Sequence, residues 1–268
     1  MSNKIATVCL FFMCAFTAGF SMPQPLKDLI YDTAKPKAKS LDTFFQNAHP
    51  GEYVVTESGK VLTLIHIHSI TPNSILFEEI STPAKNLNRK KISWPEWVAQ
   101  KAPGHTSWSM TEIARETGEI LRCYSFSRHA YTQISSQESL IGSLLERPLI
   151  PVSSNERRKV GSTPMDGESD HRKYWTPPLI FEGEKMKEPC FEVLQTTWPE
   201  DGSELEGQKL ILYFDKDLKV PFPYWVELQT THAAVQLQTI DSGTKLKSPF
   251  RGFPHDKMAL LKKSPENK

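Results

Sequence analysis

Lys209-Leu-Ile-Leu-Tyr-Phe-Asp215, Val220-Pro-Phe-Pro-Tyr-Trp-Val-Glu-Leu-Gln-Thr230 and Ala233-Ala-Val-Gln-Leu-Gln-Thr-Ile240, closed by Asp241-Ser-Gly243, decide how this chain is read. Leu210, Leu212 and Phe214 alternate with Ile211 and Tyr213. Tyr224, Val226 and Leu228 alternate with Trp225, Glu227 and Gln229, and Val235 and Leu237 alternate with Gln236 and Gln238. Period-two alternation is the mark of strands with one buried face, and the short polar links between them make an antiparallel meander. Pro221 and Pro223 donate nothing to a ladder, so the middle strand is expected to begin at a sheet edge or bulge.

Working outward, residues 191–197 supply another strand, and residues 52–56, 61–70 and 75–80 form a first meander broken by Ser58-Gly59 and Pro72-Asn73. Residues 107–113 and 120–127 form a hairpin around Glu116-Thr-Gly118. Helix signals lie between these strands. A helix from residue 40 buries Leu41, Phe44 and Phe45, and a shorter one is expected at 26–31. Ser93-Trp-Pro-Glu96 is a capping box, and Ser135-Ser-Gln-Glu138 is a second, opening a helix whose face is Leu140, Ile141, Leu144 and Leu145. The fold class is therefore α+β and mainly antiparallel β: a curved or half-barrel sheet of meanders with a few short helices packed on it.

The expected organisation is a signal peptide at 1–21, a first meander with capped helices at 22–147, and a flexible proline-containing loop at 148–178. A C-terminal meander at 179–249, in the same domain as 22–147, and a basic tail at 250–268 complete it. Lys4, the apolar run after it and the small Gly19 and Ser21 have the order of an export leader cut before Met22. Its apolar run of about 16 residues is shorter than the roughly 20 a membrane span needs, and no later stretch is apolar enough to cross. The expected address is periplasmic or secreted.

Lys and Arg number 32 against 31 Asp and Glu, and loss of Lys4 with the leader leaves a neutral chain. Neutrality gives no long-range field for nucleic acid. Cys123 and Cys190 survive the cut, and an oxidising compartment permits one disulfide between them or leaves both as small buried groups.

Catalytic signals are sparse. No Gly-x-Ser-x-Gly, Ser-x-x-Lys, His-Glu-x-x-His, P-loop or G-x-G-x-x-G occurs, so neither a catalytic residue nor a cofactor is assigned. Asp166, Glu168 and Asp170 begin like a calcium loop, but Pro177 stands where the closing Glu belongs. His66-Ile-His68 puts two imidazoles on one strand face, a geometry metal sites use, with a third ligand sought between Gly104 and His129. Solvated strand histidines are the bland alternative. Trp94, Trp97, Trp108, Trp175, Trp198 and Trp225 fall near element ends, where an indole lines a cleft or simply packs.

The strand ending in Asp, Leu210 to Asp215, followed by the proline-led strand Pro223 to Leu228, resembles the LolA/LolB-type lipoprotein-carrier superfamily. The resemblance implies an incomplete barrel or strongly curved sheet, closed by helices over an apolar cavity for acyl chains, with no chemistry performed. The polar loop at 148–178 departs from a minimal carrier of that kind. The expectation is an exported non-enzymatic envelope protein binding a hydrophobic ligand or a partner protein, with Leu212, Phe214, Tyr224, Trp225, Val226 and Leu237 lining the site. The alternative is a secreted metal-dependent hydrolase using His66 and His68.

Overall fold

The computed structural model describes residues 37–254, apart from 88–91, 137–138, 201, 203–204 and 230–233. The leader and the helix expected at 26–31 lie outside the described residues. β1 (Lys39–Ser40) precedes the first meander, which contains β2 (Tyr53–Ser58), β3 (Val61–Ile70), β4 (Ser74–Pro83), β5 (Ser107–Ala114), β6 (Ile120–Ser125) and β7 (Ala130–Tyr131). Then come β8 (Pro148–Pro151), β9 (Lys159–Val160), β10 (Lys173–Tyr174), β11 (Ile180–Phe181) and β12 (Glu184–Lys185). The C-terminal ladder is β13 (Phe191–Thr197), β14 (Lys209–Asp215), β15 (Trp225–Gln229) and β16 (Ala234–Gly243). The helices are α1 (Asp42–Phe45), α2 (Trp94–Ala99) and α3 (Leu140–Leu145).

Strand β16 pairs with β2, and this join makes the two meanders one open sheet in the order β1-β8-β13-β14-β15-β16-β2-β3-β4-β5-β6-β7. Every pairing in it is antiparallel. The fold is thus mostly antiparallel β with a few short helices. Both edges end in two-residue strands, which leaves little ladder for edge-to-edge association.

The meander of the opening stretch forms in the register its alternation requires: Leu212 opposes Val226, and Val226 opposes Leu237. Strand β15 is nevertheless interior, between β14 and β16, which corrects the edge expected from the two prolines. Pro221 and Pro223 precede the first ladder residue Trp225, so no ladder bond is lost to them. The 148–178 segment is corrected too. Pro148–Pro151 is a strand held between β1 and β13, and Lys159–Val160 pairs with Lys173–Tyr174. Proline density hid a short strand that needs few amide donors.

The box at Ser93 forms as read: Glu96 N donates to Ser93 Oγ at 3.4 Å, and Ser93 N donates to Glu96 Oε2 at 3.0 Å. For α3 the cap is Ser139, whose Oγ accepts from Gly142 N at 3.2 Å; the box expected at 135–138 includes residues 137–138, which lie outside the described residues. Ser139 stands three residues before Gly142, the spacing a cap requires. Gly118, at φ +68°, closes the β5–β6 hairpin against the Gly142 carbonyl, where any Cβ would collide.

One face of the ladder is covered by α1, α3 and the 220–224 turn. Phe44 stacks on Phe214 at 4.0 Å, and Phe45 meets Phe77 and Phe222 edge-on. Leu212 and Phe214 are wholly buried, each worth roughly 2 to 3 kcal/mol of burial. On the other side of the first meander, α2 drives Trp94, Trp97 and Val98 onto Tyr53, Val55, Leu62, Leu64, Ile80 and Trp108.

Candidate binding groove

The register of β3 to β6 sets one row of side chains under the C-terminal segment. His66 opposes Glu78, Glu78 opposes Met110, and Met110 opposes Tyr124. Glu78 is the hub of this row. Its Oε1 accepts from Trp108 Nε1 at 2.8 Å and from Ser248 Oγ at 2.7 Å, and its Oε2 lies 2.9 Å from His66 Nδ1. With both outer donors on Oε1, the proton on Nδ1 completes the set. His66 Nε2 and His68 Nδ1 are buried without a partner among the described residues.

Ser248 belongs to a strap, residues 246–254, that crosses the sheet. Leu246 N donates to Gly51 O at 3.0 Å, and the Phe250 carbonyl lies 3.0 Å from His68 Nε2. Phe250 stacks on Phe126 at 3.9 Å and meets Trp108 edge-on at 5.0 Å. Gly252, at φ +132°, turns the chain so that Phe253 faces Tyr131 at 6.1 Å and receives the Arg122 guanidinium at 4.4 Å. The expectation of a tail beginning at Phe250 is therefore corrected for 250–254: two phenylalanines in Pro249-Phe-Arg-Gly-Phe-Pro254 anchor it. Residues 255–268 lie outside the described residues.

Between the strap and the β5–β7 end of the sheet lies an open groove of about 1250 Å³. Trp108, Tyr124, Phe126, Tyr131, Phe250 and Phe253 form its apolar surface. Among the described residues its charged lining is cationic, from Lys101, Arg122 and Arg251, with no Asp or Glu. Arg122 is paired with Glu112 at 2.6 Å, whereas Lys101 and Arg251 make no ion pair among the described residues. The sequence signal for this site was the bracketed aromatic pair at 250 and 253, hidden inside a stretch read as basic tail.

The residues named from sequence fall elsewhere. Leu212, Phe214, Tyr224, Trp225 and Val226 are buried in the core, and Leu237 is half-buried beside them. Tyr224 donates its hydroxyl to Ser242 Oγ at 2.7 Å, Ser242 donates to the Ile180 carbonyl, and burial pushes the Tyr224 phenol well above its usual range. Trp175 lies edge-on over Trp225 at 5.0 Å. His66 and His68 do come together, with ring centroids 6.1 Å apart, but Glu78 is the carboxylate on His66. His105 turns to the Ala102 carbonyl instead, at 2.8 Å. Among the described residues no group of three or more His, Cys, Asp or Glu side chains is placed to hold a metal.

The disulfide is corrected: Cys123 is buried and Cys190 exposed, and the two are not bridged. Cys123 lies on β6 and Cys190 beside β13, strands that are not neighbours in the sheet order. Thr111 Oγ1 donates to the Cys123 sulfur at 3.4 Å.

No curated protein sequence matches the chain. The fold has a solved counterpart in the hypothetical protein CT021 from Chlamydia trachomatis, 17% identical, with 82% of this chain and 99% of that chain covered at a TM-score of 0.58. A family model described as CT021 protein matches residues 63–187, from β3 through β12, so the chain is similar to that family over the first meander and the segment that follows it.

Proposed function

We propose that this is an exported, non-enzymatic envelope protein, periplasmic or secreted, that binds a hydrophobic ligand on its antiparallel sheet. The observation that carries the reading is the groove under the strap. Aromatic side chains from β5, from the segment around β6 and β7, and from the strap converge there, as they do in pockets for apolar molecules. In this reading the long twisted sheet curls toward a half barrel, and the site lies at its β5–β7 end instead of among Leu212, Phe214, Tyr224, Trp225, Val226 and Leu237. The carrier-like pattern at Leu210–Asp215 and Pro223–Leu228 supports the same ligand class. Native mass spectrometry of the protein as purified tests it. A mass excess matching a lipid or other apolar molecule, lost in Phe126→Ala, is expected. A protein that carries nothing and binds no apolar molecule when one is offered would sink it.

A second reading, a secreted metal-dependent hydrolase on His66 and His68, has one observation in its favour: the two buried ring nitrogens without a partner among the described residues. Metal analysis of the purified protein decides it, since absence of stoichiometric metal disposes of that reading.

A further inference from the structure

We propose that the occupant of the groove is a single-chain amphiphile with an anionic head, its chain lying on the aromatic surface and its head held by Lys101 and Arg251. This rests on the hydrophobic-ligand reading and adds the chemical class.

Charge complementarity gives the sign of the head. Among the described residues every charged side chain lining the groove is cationic, and Lys101 and Arg251, both exposed, have no carboxylate partner there. In a chain of nearly balanced charge, such a concentration selects an anion. Arg122 serves differently. Glu112 neutralises it, and its guanidinium lies over Phe253, so it fixes the strap and leaves the head to the other two.

Ring geometry gives the shape of the body. A planar aromatic ligand such as a nucleobase binds by stacking on a free ring face. Here Phe126 and Phe250 each give one face to the other, with planes 13° apart, and Phe253 has Arg122 and Tyr131 against it. Tyr124 meets Phe126 and Tyr131 edge-on. Edge-on and stacked rings leave rims and grooves between them, which suit a flexible alkyl chain that needs apolar area without a flat partner. A volume of about 1250 Å³ exceeds the roughly 300 to 1,000 Å³ of ordinary small-molecule pockets, which leaves room for a long chain.

The test titrates the purified protein with dodecanoate, dodecyl phosphate, dodecanol and dodecyltrimethylammonium, each below its micellar concentration, reading tryptophan fluorescence and calorimetry. Both anions are expected to bind at least tenfold tighter than dodecanol, and the cation more weakly still. Butyrate and inorganic phosphate, heads without a long chain, are expected not to bind. Lys101→Glu with Arg251→Glu should remove the preference for anions while leaving the unfolding midpoint in place, since both side chains are exposed. Dodecanol binding as tightly as dodecanoate, or an unchanged preference in the charge-reversed protein, overturns the anionic head and leaves the hydrophobic-ligand reading standing. Failure of all four long-chain probes to bind overturns both.

Discussion

The ladder β13 to β16 and the strap-covered face of β3 to β6 are built by opposite means. Under α1, the ladder is held by aliphatic and aromatic contact: Leu210, Leu212, Phe214, Val226 and Leu228 against Phe44, Phe45 and Phe222. Under the strap, the ordering contacts are directional, with one carboxylate, Glu78, gathering Trp108, Ser248 and His66. Non-directional packing is redundant, so each member shares its burden with many neighbours. A hub of hydrogen bonds is not redundant, and losing its centre orphans every donor around it. The difference assigns stability chiefly to the ladder and makes the strap the part that opens at lower cost.

The largest test of that contrast is Phe214→Ala. The ring is wholly buried and stacked on Phe44 at 4.0 Å, so truncation is expected to cost about 3 to 5 kcal/mol in urea denaturation. The folded fraction should retain its groove affinity. A parallel loss of affinity would mean the two regions are not separable.

Next in size is Glu79→Gln, because Glu78 and Glu79 are neighbours on β4 facing opposite sides of the sheet. Glu78 has three partners. Glu79, opposite Ile65 and Ser109, has none among the described residues, and desolvation alone pushes its carboxyl up from 4.5 to about 7. Its side chain keeps partial solvent contact, so it is set into a recess and not sealed. Below pH 4.5 both folded and unfolded chains hold the proton, and the group costs nothing. From 4.5 to 7 only the unfolded chain releases it, so stability falls, and above 7 the full cost persists. The Gln variant is therefore expected to match the parent near pH 4 and to exceed it by at most about 3 kcal/mol at pH 8. Equal stability at both pH values would place Glu79 in open water.

The same contrast explains what the sequence disclosed. Alternation at Leu210 to Phe214 and Tyr224 to Leu228 announced the ladder because one-sided burial writes period two directly into the residues. Ser93 to Glu96 announced α2 because a capping box is local. The groove was not legible, since its parts come from 101–108, 122–131 and 249–254 and meet only through strand order. Its strap was read as tail because Arg251 and the lysines after it outweighed Phe250 and Phe253 in composition. His66 and His68 were legible as a pair, but their partner Glu78 was not, because it lies across the ladder, at a register no local pattern reports. The candidate ligand residues were legible as a buried row and said nothing about whether helices or a ligand would cover it.

Glu78→Gln probes the hub itself. The amide keeps one acceptor for Trp108 and Ser248 but turns its NH₂ toward His66 Nδ1, setting donor against donor. A loss of about 1 to 3 kcal/mol is expected, together with faster amide exchange across 246–254. Unchanged exchange in the strap would show that Phe250 and Phe253 hold it without the carboxylate.

The smallest effect separates the regions most cleanly. Ser93→Ala and Ser139→Ala each remove one helix cap, on α2 and α3 respectively, and each is expected to cost about 1 kcal/mol, read as a shift in the unfolding midpoint. Their reach should differ. Trp94, Trp97 and Val98 of α2 share a core cluster with Leu246, the first residue of the strap, whereas α3 packs its Ile141, Leu144 and Leu145 into the core of the ladder. Ser93→Ala should therefore speed exchange in 246–254, and Ser139→Ala should lower global stability by a similar amount while leaving the strap's local opening unchanged. If both variants loosen the strap equally, the two sides of the sheet melt as one unit, and the division of labour between packed ladder and hinged strap is lost.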